Sequence, residues 1–171
     1  MSVITTDSDD ARHRRYLDLC QRAQGSNVND RTLLATDYLN HINEIVMLVE
    51  IIPDAPECLE DCKAWQPLTY QAHFHNSGIA DRDLAIEAYD YSPPEFRQAF
   101  DKLVTEMNRL VALTVARMET ALAEGNDDIT RMIALRASRN LQDLIGQASA
   151  VIHGDAAALD QVEIDLLMEI G

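Results

Sequence analysis

The sequence predicts an all-α protein built on a long antiparallel helical hairpin, in a four-helix-bundle-like arrangement with additional short helices. Three observations predict it. Apolar residues recur about every 3.6 residues along most of the chain. Breakers are sparse, with 6 glycines and 5 prolines in 171 residues. Two strongly patterned stretches, 93–124 and 129–153, are separated only by a short turn that begins at Gly125.

Taken in order, residues 1–10 (MSVITTDSDD) read as a disordered N-terminus. A helical domain over 11–153 follows. Its first helix, about 11–24, ends at Gly25-Ser26. A second is expected from about Asn29 to Ile52, with Leu34, Tyr38, Ile45, Val49 and Ile52 on one face before Pro53 stops it. From Pro53 to Ser92 the chain is divided into short helices by Pro53, Pro56, Pro67 and the turn-like NSG at 76–78. The last of these, from Asp81 to about Asp90, begins at an Asp cap.

SPPE at 92–95 reads as a capping box with proline in the first turn, opening a helix to Glu124. Phe96, Phe100, Leu103, Met107, Leu110, Met118 and Leu122 give that helix a near-heptad seam. Gly125 closes it, and Asn126 to Asp128 supply a tight turn and a cap. The return helix places Ile129, Ile133, Ala137, Leu144, Ala148 and Val151 on one stripe, which makes 93–153 a hairpin. Two helices cannot cover their own apolar faces, so the 29–52 helix must pack on them, and short helices or a second copy must complete the arrangement. Gly154-Asp155 ends the hairpin. Residues 155–171 form a C-terminal amphipathic, partner-binding helix.

Charge narrows the function. With 14 basic and 29 acidic residues the formal net charge is −15, which repels nucleic acid and anionic membrane. No stretch approaches the 18 uninterrupted apolar residues of a membrane span, and the first residues lack the basic and apolar regions of a signal peptide. The expectation is a cytoplasmic protein. Cys20, Cys58 and Cys62 have no metal-type spacing and read as reduced, mostly packed thiols.

The stretch NLQDLIGQ at 140–147 carries the chemistry. With Leu144 at the centre of the stripe, Asp143 and Gln147 fall on its border one turn apart, and Arg136 lies two turns back on the same border. Gly146 points away from the stripe. A glycine inside a helix costs roughly 1 kcal/mol relative to alanine, so one placed there serves packing or access.

NLQDLIGQ resembles the active-site helix of the CheZ family of chemotaxis phosphatases, in which an aromatic or aliphatic residue precedes Gln-Asp-Leu-Thr-Gly-Gln. Gln142, Asp143, Leu144, Gly146 and Gln147 match, with Ile145 in place of the threonine. The C-terminal DQVEIDLLMEIG is similar to the tail by which that family captures the response regulator CheY, and QVEID also resembles the CheY-binding N-terminus of the flagellar switch protein FliM. Asp160, Gln161, Ile164, Asp165, Leu166 and Leu167 carry the likeness, and Ile170 extends the apolar set. The two stretches occur in the family's order and cover about a seventh of the chain. In the family a long linker separates them; here about six residues, 154–159, do.

The resemblance implies a phosphatase or binding partner of a phosphorylated CheY-like response regulator. It gives Gln147 the task of holding a water in line with the aspartyl phosphate, and Asp143 a salt bridge to the regulator's active-site lysine. Gln142, Gly146 and the tail residues are then partner-binding. No cofactor of its own is implied, since the regulator supplies Mg²⁺. An amide suits the role, because it accepts and donates hydrogen bonds and adds no charge to repel phosphoryl oxygens. A homodimer through the hairpin is expected.

Two alternatives come from the residues themselves. One is a non-catalytic helical adaptor that binds a partner through its C-terminal helix. The other is a metal or small-ligand site within the bundle, from Asp37, His41 and Glu44 with His73 and His75, although the chain has no Glu-x-x-His repeat. Trp65, Tyr70, Phe74, Tyr89 and Tyr91 read as packing of the short helices.

Overall fold

The computed structural model describes residues 7–170, and the backbone alone at 163, 164 and 166–170. The described residues are all-α. Eight helices follow one another: α1 (Asp7–Ala23), α2 (Leu39–Ile51), α3 (Leu59–Ala64), α4 (Tyr70–His75), α5 (Arg82–Tyr89), α6 (Pro94–Ala123), α7 (Asp127–Ile152) and α8 (Ala156–Ile170). The only extended pairing among them is an isolated bridge between Val28 and Ala35.

Helix α1 starts at Asp7, inside the segment expected to be disordered; residues 1–6 lie outside the described ones. Asp7, Asp9 and Asp10 occupy its first turn, where carboxylates complement the helix dipole. It buries Leu19 and Ala23 and is tied to α5 by Arg15 and Arg22, which both reach Glu87.

The second helix begins ten residues later than the apolar pattern suggests, because Asn29 builds a turn instead. Its Oδ1 accepts from the backbone N–H groups of Arg31 and Thr32, both at 2.9 Å, a local bond that competes with helix. Leu33 then takes a φ of +58°, and helix starts only with a 3-10 turn at Thr36–Tyr38. Leu34, Tyr38, Ile45, Val49 and Ile52 are all buried, as their spacing requires.

Asp81 stands at the N-cap of α5 as expected, but neither its side chain nor that of Ser92 caps a helix N–H. The buried Ser92 hydroxyl donates to the Thr32 carbonyl at 2.6 Å, and Thr32 Oγ1 donates to the Ile152 carbonyl at 2.5 Å, so the Asn29 turn is pinned to the end of α7. Asp81 accepts from the Asn27 N–H at 3.2 Å. In both places a tertiary partner has taken the cap oxygen.

The short helices pack through rings. Tyr70 lies 4.7 Å, centroid to centroid, from Tyr89 and from Phe74, and Phe100 meets Tyr38 and Tyr70 edge-on at 5.5 and 5.7 Å. Burial pushes the Tyr38 hydroxyl up to about 12. Trp65 stacks on His41 at 4.6 Å, and the His41 Nε2 sits 2.7 Å from the Gln66 carbonyl. His41 and Glu44 are 4.0 Å apart, and no group of three His, Cys, Asp or Glu among the described residues is placed to hold a metal ion.

His73 is half-buried beside this cluster, and its Nε2 is buried without a hydrogen-bond partner among the described residues. Burial first, then the nearby His41, lower its pKa from the usual 6.5, with Asp37 opposing. The folded chain therefore binds fewer protons here than the unfolded one. The stability from neutral His73 is complete above an unfolded pKa of about 6.5 and is lost as pH falls through the lowered folded value. Thermal melts at about pH 7 and about pH 5 should show a smaller drop for His73→Phe, which keeps a ring but cannot titrate, than for wild type.

Helices α6 and α7 are joined by the turn Glu124–Asn126 and pack closely along each other. Gly125 takes the left-handed φ of +66° that closes α6. Asn126 Oδ1 caps α7 by accepting from the Ile129 N–H at 3.1 Å. Helix α2 packs on α7, α3 on α6, and α8 on both. The core side of α6 buries Phe96, Phe100, Leu103, Met107 and Met118. That of α7 is built from smaller residues, Thr130, Ala134, Ala137, Ser138 and Ala148, with Leu141, Val151 and Ile152. Ala137, Ala148 and Val151 follow the expected stripe, whereas Ile129 is exposed and Ile133 and Leu144 are half-buried. Small side chains let two helices approach closely, which turns the larger ones toward the edge of the pair.

Candidate functional site

Helix α7 positions the predicted site by rotation. At about 100° per residue, the side facing α2 is marked by Ser138 and Gln142. The Ser138 hydroxyl donates to Glu50 Oε1, and Gln142 Nε2 approaches the same oxygen at 3.3 Å. Gln147 lies nine residues beyond Ser138, about half a turn away around the axis. Asn140, Asp143 and Gln147 therefore share the side of α7 that α2 leaves open. The resemblance makes Gln142 a partner contact; here its amide is engaged by Glu50, although the residue remains exposed.

Asp143 is exposed, with its carboxylate on this open side. Gln147, one turn on, is half-buried. Its carboxamide oxygen is buried and has no hydrogen-bond partner among the described residues. A buried acceptor left unmade costs about 1–3 kcal/mol, so the amide is not held there by its own bonding.

Gly146 answers for itself. It is exposed, its φ is ordinary for a helix, and a Cβ built there would meet nothing within 4 Å. Nothing among the described residues calls for glycine at this position. Gly146→Ala is expected to raise folding stability by about 0.5–1 kcal/mol, read as a higher urea midpoint. If the bare backbone serves a docked partner, the same variant weakens that partner's binding.

The tail begins sooner than the spacing suggests. Only His153–Asp155 separate α7 from α8, because Gly154 turns the chain at a φ of +82° and Asp155 Oδ1 accepts from the Ala157 N–H at 2.9 Å. Ala158 and Leu159 then pack against the core and Val162 is buried in it. The first half of α8 is thus part of the domain rather than a tethered arm. Asp160 and Gln161 are exposed, and Gln161 Nε2 donates to Asp165 Oδ1 at 2.7 Å, one turn on. The side chains of Ile164, Leu166, Leu167 and Ile170 lie outside the described residues.

Sequence reading missed Glu50, whose carboxylate fixes the α2 side of α7. It also missed a groove of about 260 Å³ between α6 and α7, lined by Leu110, Leu113, Arg117, Met132 and Arg136 among others. The cysteines are all free, and burial pushes the Cys62 thiol up to about 11, which makes it a poor nucleophile at neutral pH.

No family model matches this chain, and comparison with the curated proteins and with the solved structures found no match. No helix among the described residues is long and apolar enough to cross a membrane.

Proposed function

We propose that this chain acts on a phosphorylated response regulator of the CheY type, stimulating hydrolysis of its aspartyl phosphate with the open side of α7. The observation that carries the reading is Gln147. Among the described residues its amide oxygen has no partner, and it stands one turn from an exposed carboxylate and next to a glycine that packing among those residues does not require. An unused acceptor, an acid and a bare patch of backbone form a sensible set for a docked protein surface.

The chemistry asks little of such a helper. The regulator brings the phosphoryl group and its Mg²⁺, so α7 need only orient a water for in-line attack. On this reading Gln147 turns outward when the regulator docks. Its carbonyl accepts a hydrogen from the water, and its NH₂ remains free to donate. Asp143 pairs with the regulator's lysine, which aligns the two surfaces. Gly146 lets the regulator approach the helix, and the exposed face of α8 adds contact.

The test follows loss of aspartyl phosphate from a chemotaxis-type regulator, with Mg²⁺ present, with and without the full chain. Faster loss supports the reading; an unchanged rate with every regulator tried overturns it. A non-catalytic adaptor that binds a partner through its C-terminal helix is the second reading, favoured by the exposed Asp160 and Gln161 on a helix whose Val162 is fixed in the core. Under it the regulator or another partner binds and its phosphate lifetime is unaltered.

A further inference from the structure

We propose that the α6–α7 groove rimmed by Arg117 and Arg136 binds the acidic C-terminal helix α8 of a second copy of this chain, reciprocally, to form a dimer. The inference does not depend on the phosphatase reading.

Charge is the first argument. The chain carries 29 acidic against 14 basic residues, yet 107–118 and 129–142 contain Arg109, Arg117, Arg131, Arg136 and Arg139 and no acid. Those windows are the middle of α6 and the facing part of α7. Arg109 pairs with Glu106 and Arg131 with Asp54. Arg117 and Arg136 line the groove, are exposed, and have no ion pair among the described residues. Helix α8 is the opposite, with Asp160, Glu163, Asp165 and Glu169 and no basic residue.

Apolar surface is the second. Leu113 is 38% and Met132 47% exposed on the walls of this groove. Large apolar side chains gathered beside arginines without an ion pair among the described residues suit an occupant with both apolar and acidic residues. From Glu163 to Ile170 the sequence EIDLLMEI supplies three acids and five apolar residues.

Continuity is the third. Helix α8 already packs on both α6 and α7 of its own chain, with Leu159 and Val162 against the core. The groove lies between the same two helices. A dimer that instead pressed two copies of the same face together would set Arg117 and Arg136 toward their own kind, and like charges across an interface oppose it. Exchange of α8 brings opposite charges together twice and closes the assembly.

The experiment measures mass by light scattering and sedimentation on full-length chains at tens of micromolar. Wild type is expected to be a dimer that weakens roughly tenfold or more in about 1 M salt, where screening shortens to about 3 Å. Arg117→Glu/Arg136→Glu is expected to be monomeric with an unchanged helical circular dichroism spectrum. Glu163→Lys/Asp165→Lys is likewise expected to be monomeric and helical. Mixing the two variants restores a dimer, since each altered helix then meets a groove of opposite charge. A monomeric wild type overturns the proposal, as does a dimer indifferent to the α8 substitutions, which would mean that another face pairs. Failure of the mixture to dimerise overturns it too.

Discussion

Truncating Phe100 to alanine is expected to remove about 3–5 kcal/mol of folding free energy, a large share of the roughly 5–15 kcal/mol that keeps a domain of this size folded. Phe100 is 1% exposed. Its ring meets Tyr38 and Tyr70 edge-on, so it joins α6 to the entry of α2 and to α4. Removing it takes away apolar burial, two favourable ring contacts and the packing of two tyrosines whose hydroxyls are already bonded elsewhere. Tyr38 donates to the Leu68 carbonyl at 2.6 Å, and the Tyr70 oxygen accepts from the Ala35 N–H at 2.8 Å. Neither ring can swing into the void without giving up its bond, so the cavity persists. Urea titration should show a lower midpoint at unchanged slope. Phe100→Leu, which keeps most of the volume, should lose well under half as much.

The long helices were legible because their signals are local. Gly125 and Asn126 mark the turn between α6 and α7 in sequence and do so in the structure, the glycine by its left-handed φ and the asparagine by its cap bond. Of the expected seam, Phe96, Phe100, Leu103, Met107 and Met118 are buried, and Leu110 and Leu122 are half-buried against the core. What failed was read from single residues with more than one possible partner. Asn29 could have started a helix but closes a turn on Arg31 and Thr32. Ser92 could have capped α6 but reaches Thr32. No property of the local sequence distinguishes those outcomes, since both use the same oxygen.

The stripe on α7 held in part. Ala137, Ala148 and Val151 are buried as expected, whereas the larger Ile129 is exposed and Ile133 and Leu144 are half-buried, because a closely packed helix pair favours small residues at its centre. For the site, the one-turn spacing of Asp143 and Gln147 was legible, and so was the bare position at Gly146. The burial of the Gln147 oxygen was not, because it depends on what packs against that side of α7. The arginine-rich middle of the helix pair was countable from sequence, yet the net charge of −15 concealed it.

Gln147 is where the competing readings part. If its amide holds the attacking water, Gln147→Ala should cut the stimulated loss of aspartyl phosphate by roughly 10²-fold, the scale of removing one positioned transition-state group. Binding of the phosphorylated regulator should remain nearly intact, since the contact matters mainly in the transition state. Asp143→Ala should weaken binding and rate together, as a lost salt bridge does. Gln147→Glu keeps the shape and sets a negative charge toward the phosphoryl oxygens, so it should not restore the rate. Gln147→Met separates function from fold. It fills a similar volume and removes an acceptor that is buried and has no partner among the described residues, so it should raise stability by about 1 kcal/mol while abolishing stimulation. A variant that is both more stable and inactive is the signature of a polar group kept for a partner. If Gln147→Met is more stable and still accelerates dephosphorylation, the amide is not the water-holding group, and the adaptor becomes the better account of the open side of α7.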